Sequence, residues 1–237
     1  MTSSNRQNSL PMAELWRHEA FRFYLMLAGC VALMYLPVVG RYVRMLATMA
    51  HEGGHVLVAL LLGEKPQKVE LFSDTSGVAL VAYSSKWKAV LVSLAGYLFT
   101  PCMAFVSFWM LQRGWQVPYL WIVLLLSLLF LLCYIRNGFG IFWCLCFVLL
   151  HGWLLYRDHP FWIDGIARLD AGVLFVDAVC SCLILLRVAF RNPKRSGDAA
   201  NIARFTHLPP LFTALAFTAF ALYMDYLCVI HFFPKWS

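Results

Sequence analysis

Seven stretches of the chain are almost unbroken runs of apolar residues, separated by short polar or basic segments. They cover 23–40, 45–63, 89–112, 114–135, 137–156, 171–186 and 205–224. Each approaches the ~20 residues that an α-helix needs to cross the hydrocarbon core of a bilayer. The sixth is the weakest, being short and carrying Asp177. The pattern predicts an all-α polytopic membrane protein with six to seven transmembrane helices. One long segment departs from it: "EKPQKVELFSDTSGVALVAYSSKWK", after the second run. "KVELF" and "GVALVAY" are strand-like and "SDTSG" is turn-like, so a small β-hairpin is expected there, at the membrane surface. The later segment "RNPKRSGDAANIARFTHLPP" breaks at Pro193 and predicts a short helix from Ser196 or Asp198, with Pro209 and Pro210 preceding the last span. The domain reading is a polar segment over 1–22, one membrane-embedded unit over 23–230, and a short tail over 231–237.

Composition strengthens this picture. Of 237 residues, 62% are hydrophobic and 13% charged, against about 45–50% and about 25% in a soluble domain. So much apolar surface cannot be hidden in one water-facing fold. The net charge of +7 does not point to nucleic acid, because the basic residues lie between apolar runs as the positive-inside bias requires. If all seven runs cross, 13 of the 19 lysines and arginines share the N-terminal side, which predicts a cytoplasmic N-terminus and an external C-terminus. The first run ends at "PVVGRYVR" without a small-residue cleavage pattern, so it reads as a retained anchor. All eight cysteines fall in apolar runs, where they read as small buried residues rather than a disulfide or metal framework.

The second run, "MLATMAHEGGHVLVALLLGEK", holds the chemistry. His51 and His55 are one helical turn apart, about 40° around the axis, with Glu52 beside them. Two imidazoles on one face can ligate one metal, and the neighbouring carboxylate can act as a base. Zinc suits two neutral imidazoles, one further protein ligand and a water. Ionisable groups in a membrane segment are costly, about 2.5–3.5 kcal/mol each at the bilayer centre on insertion scales, and mark function by default. Gly53 and Gly54 lie between the histidines. They permit close approach of either a neighbouring helix or a substrate.

"HEGGH" on an apolar helix, followed by a short hairpin, resembles the site-2 protease class of intramembrane zinc metallopeptidases. Three further stretches resemble one branch, the compact peptidase-like membrane proteins of bacteria, fungi and plants. "SLAGYL" (93–98) is similar to a Gly-Tyr-Leu segment, "RNGFG" (136–140) to an Arg-Asn-x-x-Gly element, and "SGDAANIARFTHLP" (196–209) to a Ser-Asp-Ala element ending in proline. The resemblance implies an intramembrane zinc endopeptidase. His51 and His55 would be its zinc ligands and Glu52 its general base. Its partners would be a membrane-protein substrate and the bilayer. The hairpin would hold an extended substrate by strand addition, and Asn137 would contact the substrate carbonyl, or else serve as a helix cap or packing contact.

Two histidines do not complete a catalytic zinc site. Better-known members take their third ligand from a Leu-Asp-Gly stretch. Here Asp164 and Asp170 in "WIDGIARLDAG" lack that context and are expected on the external side. Asp198, in the family-like element, is the leading candidate, with a helix N-cap as its ordinary role. Asp177 is the alternative, with pairing to Arg187 as its ordinary role. The irregular third ligand keeps a second reading in view: a non-catalytic membrane scaffold that binds transmembrane partners.

Overall fold

The structure, a computed structural model, describes residues 19–235; positions 1–18 of the expected polar N-terminal segment lie outside the described residues. All seven apolar runs are helical. They form α1 (Glu19–Met34), α2 (Val39–Leu61), α3 (Lys86–Gln112), α4 (Gln116–Cys133), α5 (Gly138–Arg157), α6 (Pro160–Arg191) and α8 (Pro210–Phe232). The short α7 (Gly197–Thr206) begins between Ser196 and Asp198, as the sequence predicts, after a 3-10 turn at Pro193–Arg195. The sixth run proves to be part of the longest helix. Pro160 starts α6 at a position where a missing N–H costs nothing, and no second proline follows before Pro193. "WIDGIARLDAG" is therefore helical rather than a loop.

Among the described residues α3, α4, α5, α6 and α8 are each long and apolar enough to cross a bilayer. α1 and α2 meet at a bend of 101° and add one further span if taken together. Two helices at about a right angle cannot both follow the bilayer normal, so the first two runs supply at most one crossing. Six spans is where the expected range and the structure meet. The seven crossings on which the expected orientation of the termini rests are not all present. The core lies where α2, α3 and α6 meet, filled by Met45, Leu46, Ala104, Phe108, Ala171 and Leu174. Gly54 allows α2 and α3 to touch: a Cβ there would lie 2.7 Å from Phe99 Cβ and 2.9 Å from the Ala95 carbonyl. This gives Gly54 a packing role.

The expected hairpin is present as β1 (Lys65–Leu71) and β2 (Gly77–Ala82), antiparallel, with an irregularity between Pro66 and Lys68. It folds back along α2, and the Thr48 hydroxyl donates to the Thr75 carbonyl at its tip, 2.8 Å away. β1 is covered on its outer side. Val69 N–H donates to Tyr134 O (2.9 Å), and Arg136 N–H donates to Val69 O (3.2 Å). Asn137 serves Leu71 twice: its Oδ1 accepts the Leu71 N–H at 3.1 Å, and its Nδ2 donates to the Leu71 carbonyl at 2.6 Å. Since Val69 and Leu71 spend these groups outward, their partners Ala79 and Gly77 must also point their own N–H and C=O away from β1. The free edge of the sheet is thus β2. At the hairpin base Glu64 accepts from the Ser84 amide and hydroxyl and pairs with Lys88 at 2.7 Å.

Candidate metal centre

The centre assembles from α2, α3 and α7. The helical spacing of His51 and His55 brings their Nε2 atoms to 3.1 Å from each other. Asp198 Oδ2, from the first turn of α7, lies 3.1 Å from His51 Nε2 and 3.3 Å from His55 Nε2. His55 Nδ1 lies 2.6 Å from the Val92 carbonyl of α3. A carbonyl only accepts, so Nδ1 carries a hydrogen and Nε2 is the nitrogen that faces the cluster. Burial would raise the pKa of Asp198, but the facing imidazoles outweigh it and hold the carboxyl well below the usual carboxylate range. Three ligand atoms therefore converge, all within 4.8 Å of one another.

The spacing suits zinc. A tetrahedral ion with bonds of about 2.0–2.2 Å needs ligand atoms roughly 3.3–3.6 Å apart, close to the triangle seen here. The donor set of two imidazoles and one carboxylate is also one that zinc accepts. Gly96 of α3 makes room for this triangle. A Cβ at that position would lie 2.5 Å from His51 Nε2 and 2.7 Å from His55 Nε2. Tyr97 next to it sets its ring edge-on to His51 (centroids 4.6 Å apart) and stacks on Phe217 of α8 (4.8 Å). "SLAGYL" singles out these residues only through its resemblance; no spacing rule marks Gly96 as facing histidines on another helix.

Glu52 is buried beside the triangle at the free edge of β2. Its Oε1 would be 2.7 Å from a Cβ on Gly77, and the Ala79 N–H approaches its carboxylate. Two polar cavities meet at this point, sharing His51, Glu52, Gly77, Tyr97 and Ile184. One, of about 350 Å³, opens between β2, the end of α6 and α7. The other, of about 420 Å³, runs along α2 to Arg44 and Asp177. Gly53 faces away from both and lines an apolar cavity against α4.

The remaining acids are used elsewhere. Asp177 stands outside the triangle and accepts from Arg44 Nε at 2.7 Å, so its partner is Arg44 of α2 and not Arg187. Asp170 pairs with His151 at 3.0 Å, and Asp164 with Arg168 at 2.7 Å. His151 is fully buried between α5 and α6. Asn137 lines neither polar cavity; both ends of its amide are engaged by Leu71.

The sequence matches the Peptidase M50B-like family over residues 24–228, nearly the whole described chain. The chain belongs to that family, which is of the site-2 protease kind. This membership and the apolar helices together identify a multi-pass membrane protein and suggest a metallopeptidase. No curated protein and no solved structure gives a significant match.

Proposed function

We propose that this protein is a zinc endopeptidase that hydrolyses peptide bonds in or next to transmembrane segments. The observation that carries the reading is the triangle of His51 Nε2, His55 Nε2 and Asp198 Oδ2, with edges of 3.1–3.3 Å and a buried glutamate at its side. His51, His55 and Asp198 would hold the ion. When bound, zinc would lower the pKa of a water and polarise the substrate carbonyl. Glu52 accepts the water's proton and passes it to the leaving amine. Its burial beside the β2 edge suits a base that must meet the substrate away from bulk solvent. A substrate segment unwound into a strand can pair with the outward groups of Gly77 and the Ala79 carbonyl, beside the Ala79 N–H that meets Glu52, which presents the scissile bond to Glu52. For Asn137 we propose a supporting role, in which it anchors β1 and so fixes that edge.

The layout also supports an orientation. The hairpin, the 134–137 turn and α7 gather at one end of the spans. That end carries Lys65, Lys68, Lys86, Lys88, Arg136, Arg187, Arg191, Lys194, Arg195 and Arg204, whereas the other end carries Arg41, Arg44, Arg113, Arg157, Arg168 and Lys235. The basic end is cytoplasmic in this reading, and α8 then delivers the C-terminus outside. An N-terminus inside would further require α1 to cross by itself.

The test is Glu52→Gln in detergent-purified protein. Zinc content should stay at the wild-type level while cleavage of a membrane-protein substrate falls by at least about 10²-fold, the span of a lost general base. Undiminished cleavage would refute the mechanism. Turnover that depends on Glu52 would also exclude a purely scaffolding role.

A further inference from the structure

The two cavities that meet at Glu52 differ in charge. Apart from the residues they share and the ligands His55 and Asp198, the outer cavity holds one charged side chain, Arg195. Arg195 is exposed, and among the described residues its side chain has no ion pair or hydrogen bond to protein. It precedes Asp198 by a single turn, in the 3-10 segment held by Pro193. The facing walls are the free edge of β2, with Val78, Ala79 and Tyr83, and the apolar end of α6. The deep cavity is lined by Asp74 and Asp177, and each has its own cation: Arg44 pairs with Asp177, and Arg41 lies close enough to Asp74 to favour its carboxylate. An extended chain lying through both cavities meets an unpaired cation on one side of the cutting point and carboxylates matched by their own cations on the other.

We propose that Arg195 is a specificity-determining residue that receives a substrate carboxylate, on one side only of the scissile bond. The proposal rests on the peptidase reading of the same site. A guanidinium is suited to this role because its planar fork meets a carboxylate with two parallel hydrogen bonds. An acid on the opposite side would face Asp74 and Asp177, whose cations Arg41 and Arg44 are already matched to them, which disfavours the reversed register. The carboxylate can belong to an Asp or Glu side chain or to a chain terminus.

The test separates binding from cleavage. Zinc-loaded Glu52→Gln protein, full length and in detergent, is titrated with labelled apolar peptides carrying one Glu, Gln or Lys on either side of the centre. Each peptide is made with a free and with an amidated C-terminus, and wild-type protein is given the same set for cleavage. Binding should be about tenfold tighter for Glu than for Gln on one side alone, as expected of a charge-assisted pair. Adding Arg195→Glu should reverse the preference towards Lys, with unchanged zinc content as the check on folding. An advantage that follows the free C-terminus and also depends on Arg195 would assign the carboxylate to a chain end. Equal affinity for Glu and Gln, a preference that survives Arg195→Glu, or no binding by any acid-bearing peptide would overturn the proposal. Peptides that bind through Arg195 yet are never cut by wild type would instead count against the peptidase reading. Peptides cut without charge preference would leave that reading standing and remove this one.

Discussion

One hydrogen on His55 decides what its other nitrogen can do. Because Nδ1–H is held by the Val92 carbonyl, Nε2 is the nitrogen that faces the triangle, and it becomes a ligand when a cation takes the place of its proton. Gly96 guards the same space from the other helix. Gly96→Ala would drive a methyl group to within 2.5 Å of His51, so purified Gly96→Ala protein should fold with its helix content intact but lose most of its zinc. Zinc at the wild-type level would show that the imidazoles can move aside. His51, Glu52 and His55 were legible in the sequence because a four-residue spacing on a helix fixes a shared face. The acid was less so. Asp164, Asp170, Asp177 and Asp198 are all chemically able, and only the return of α7 against α2 and α3 picks Asp198. The others are engaged by Arg168, His151 and Arg44, partners that no local spacing except that of Asp164 and Arg168 reveals.

The hairpin is the element whose placement matters most. Its strands were legible from their alternation and turn residues, but its packing along α2 and against Asn137 was not, because those anchors lie far off in sequence. Asn137 replaces a missing strand for Leu71, which is fully buried. Asn137→Ala would orphan the Leu71 N–H and C=O at about 1–3 kcal/mol per group. Faster hydrogen exchange across 65–82 should report that loss, while zinc content holds. The base of the hairpin carries a pH dependence. Hydrogen bonds from Lys88 and Ser84 lower the pKa of Glu64 from its ordinary value of 4.5. A lowered acid stabilises the fold fully above its ordinary value and ceases to do so as pH falls through the folded value. Exchange at 64–84 should therefore rise below about pH 4 in wild type. In Glu64→Gln it should be raised already at neutral pH and stay flat. A wild-type profile that is flat as well would show that the clasp contributes nothing.

At the scale of the molecule, the helices were legible because a membrane demands long apolar runs, but the crossing count was not. A right-angle bend between α1 and α2 is invisible to hydropathy, and the weak sixth run hides a helix of 32 residues. Asp177 is tolerated inside that helix because Arg44 meets it. Arg44→Ala would leave a buried carboxylate unpaired and should destabilise the protein by about 3–5 kcal/mol, seen as a lower thermal midpoint in detergent. Removing both partners together should cost less. Orientation is open to labelling in intact cells: a membrane-impermeant thiol reagent should reach Arg113→Cys from outside but not Lys194→Cys.

Zinc stoichiometry tests the central claim most directly. Wild type, Asp198→Ala and Asp177→Ala are purified in detergent, offered zinc, dialysed and measured for metal per chain. The account predicts close to one zinc in wild type and in whatever folded Asp177→Ala protein is recovered, and far less in folded Asp198→Ala. A folded wild type that stays metal-free, or an Asp198→Ala variant that keeps its zinc, would contradict it.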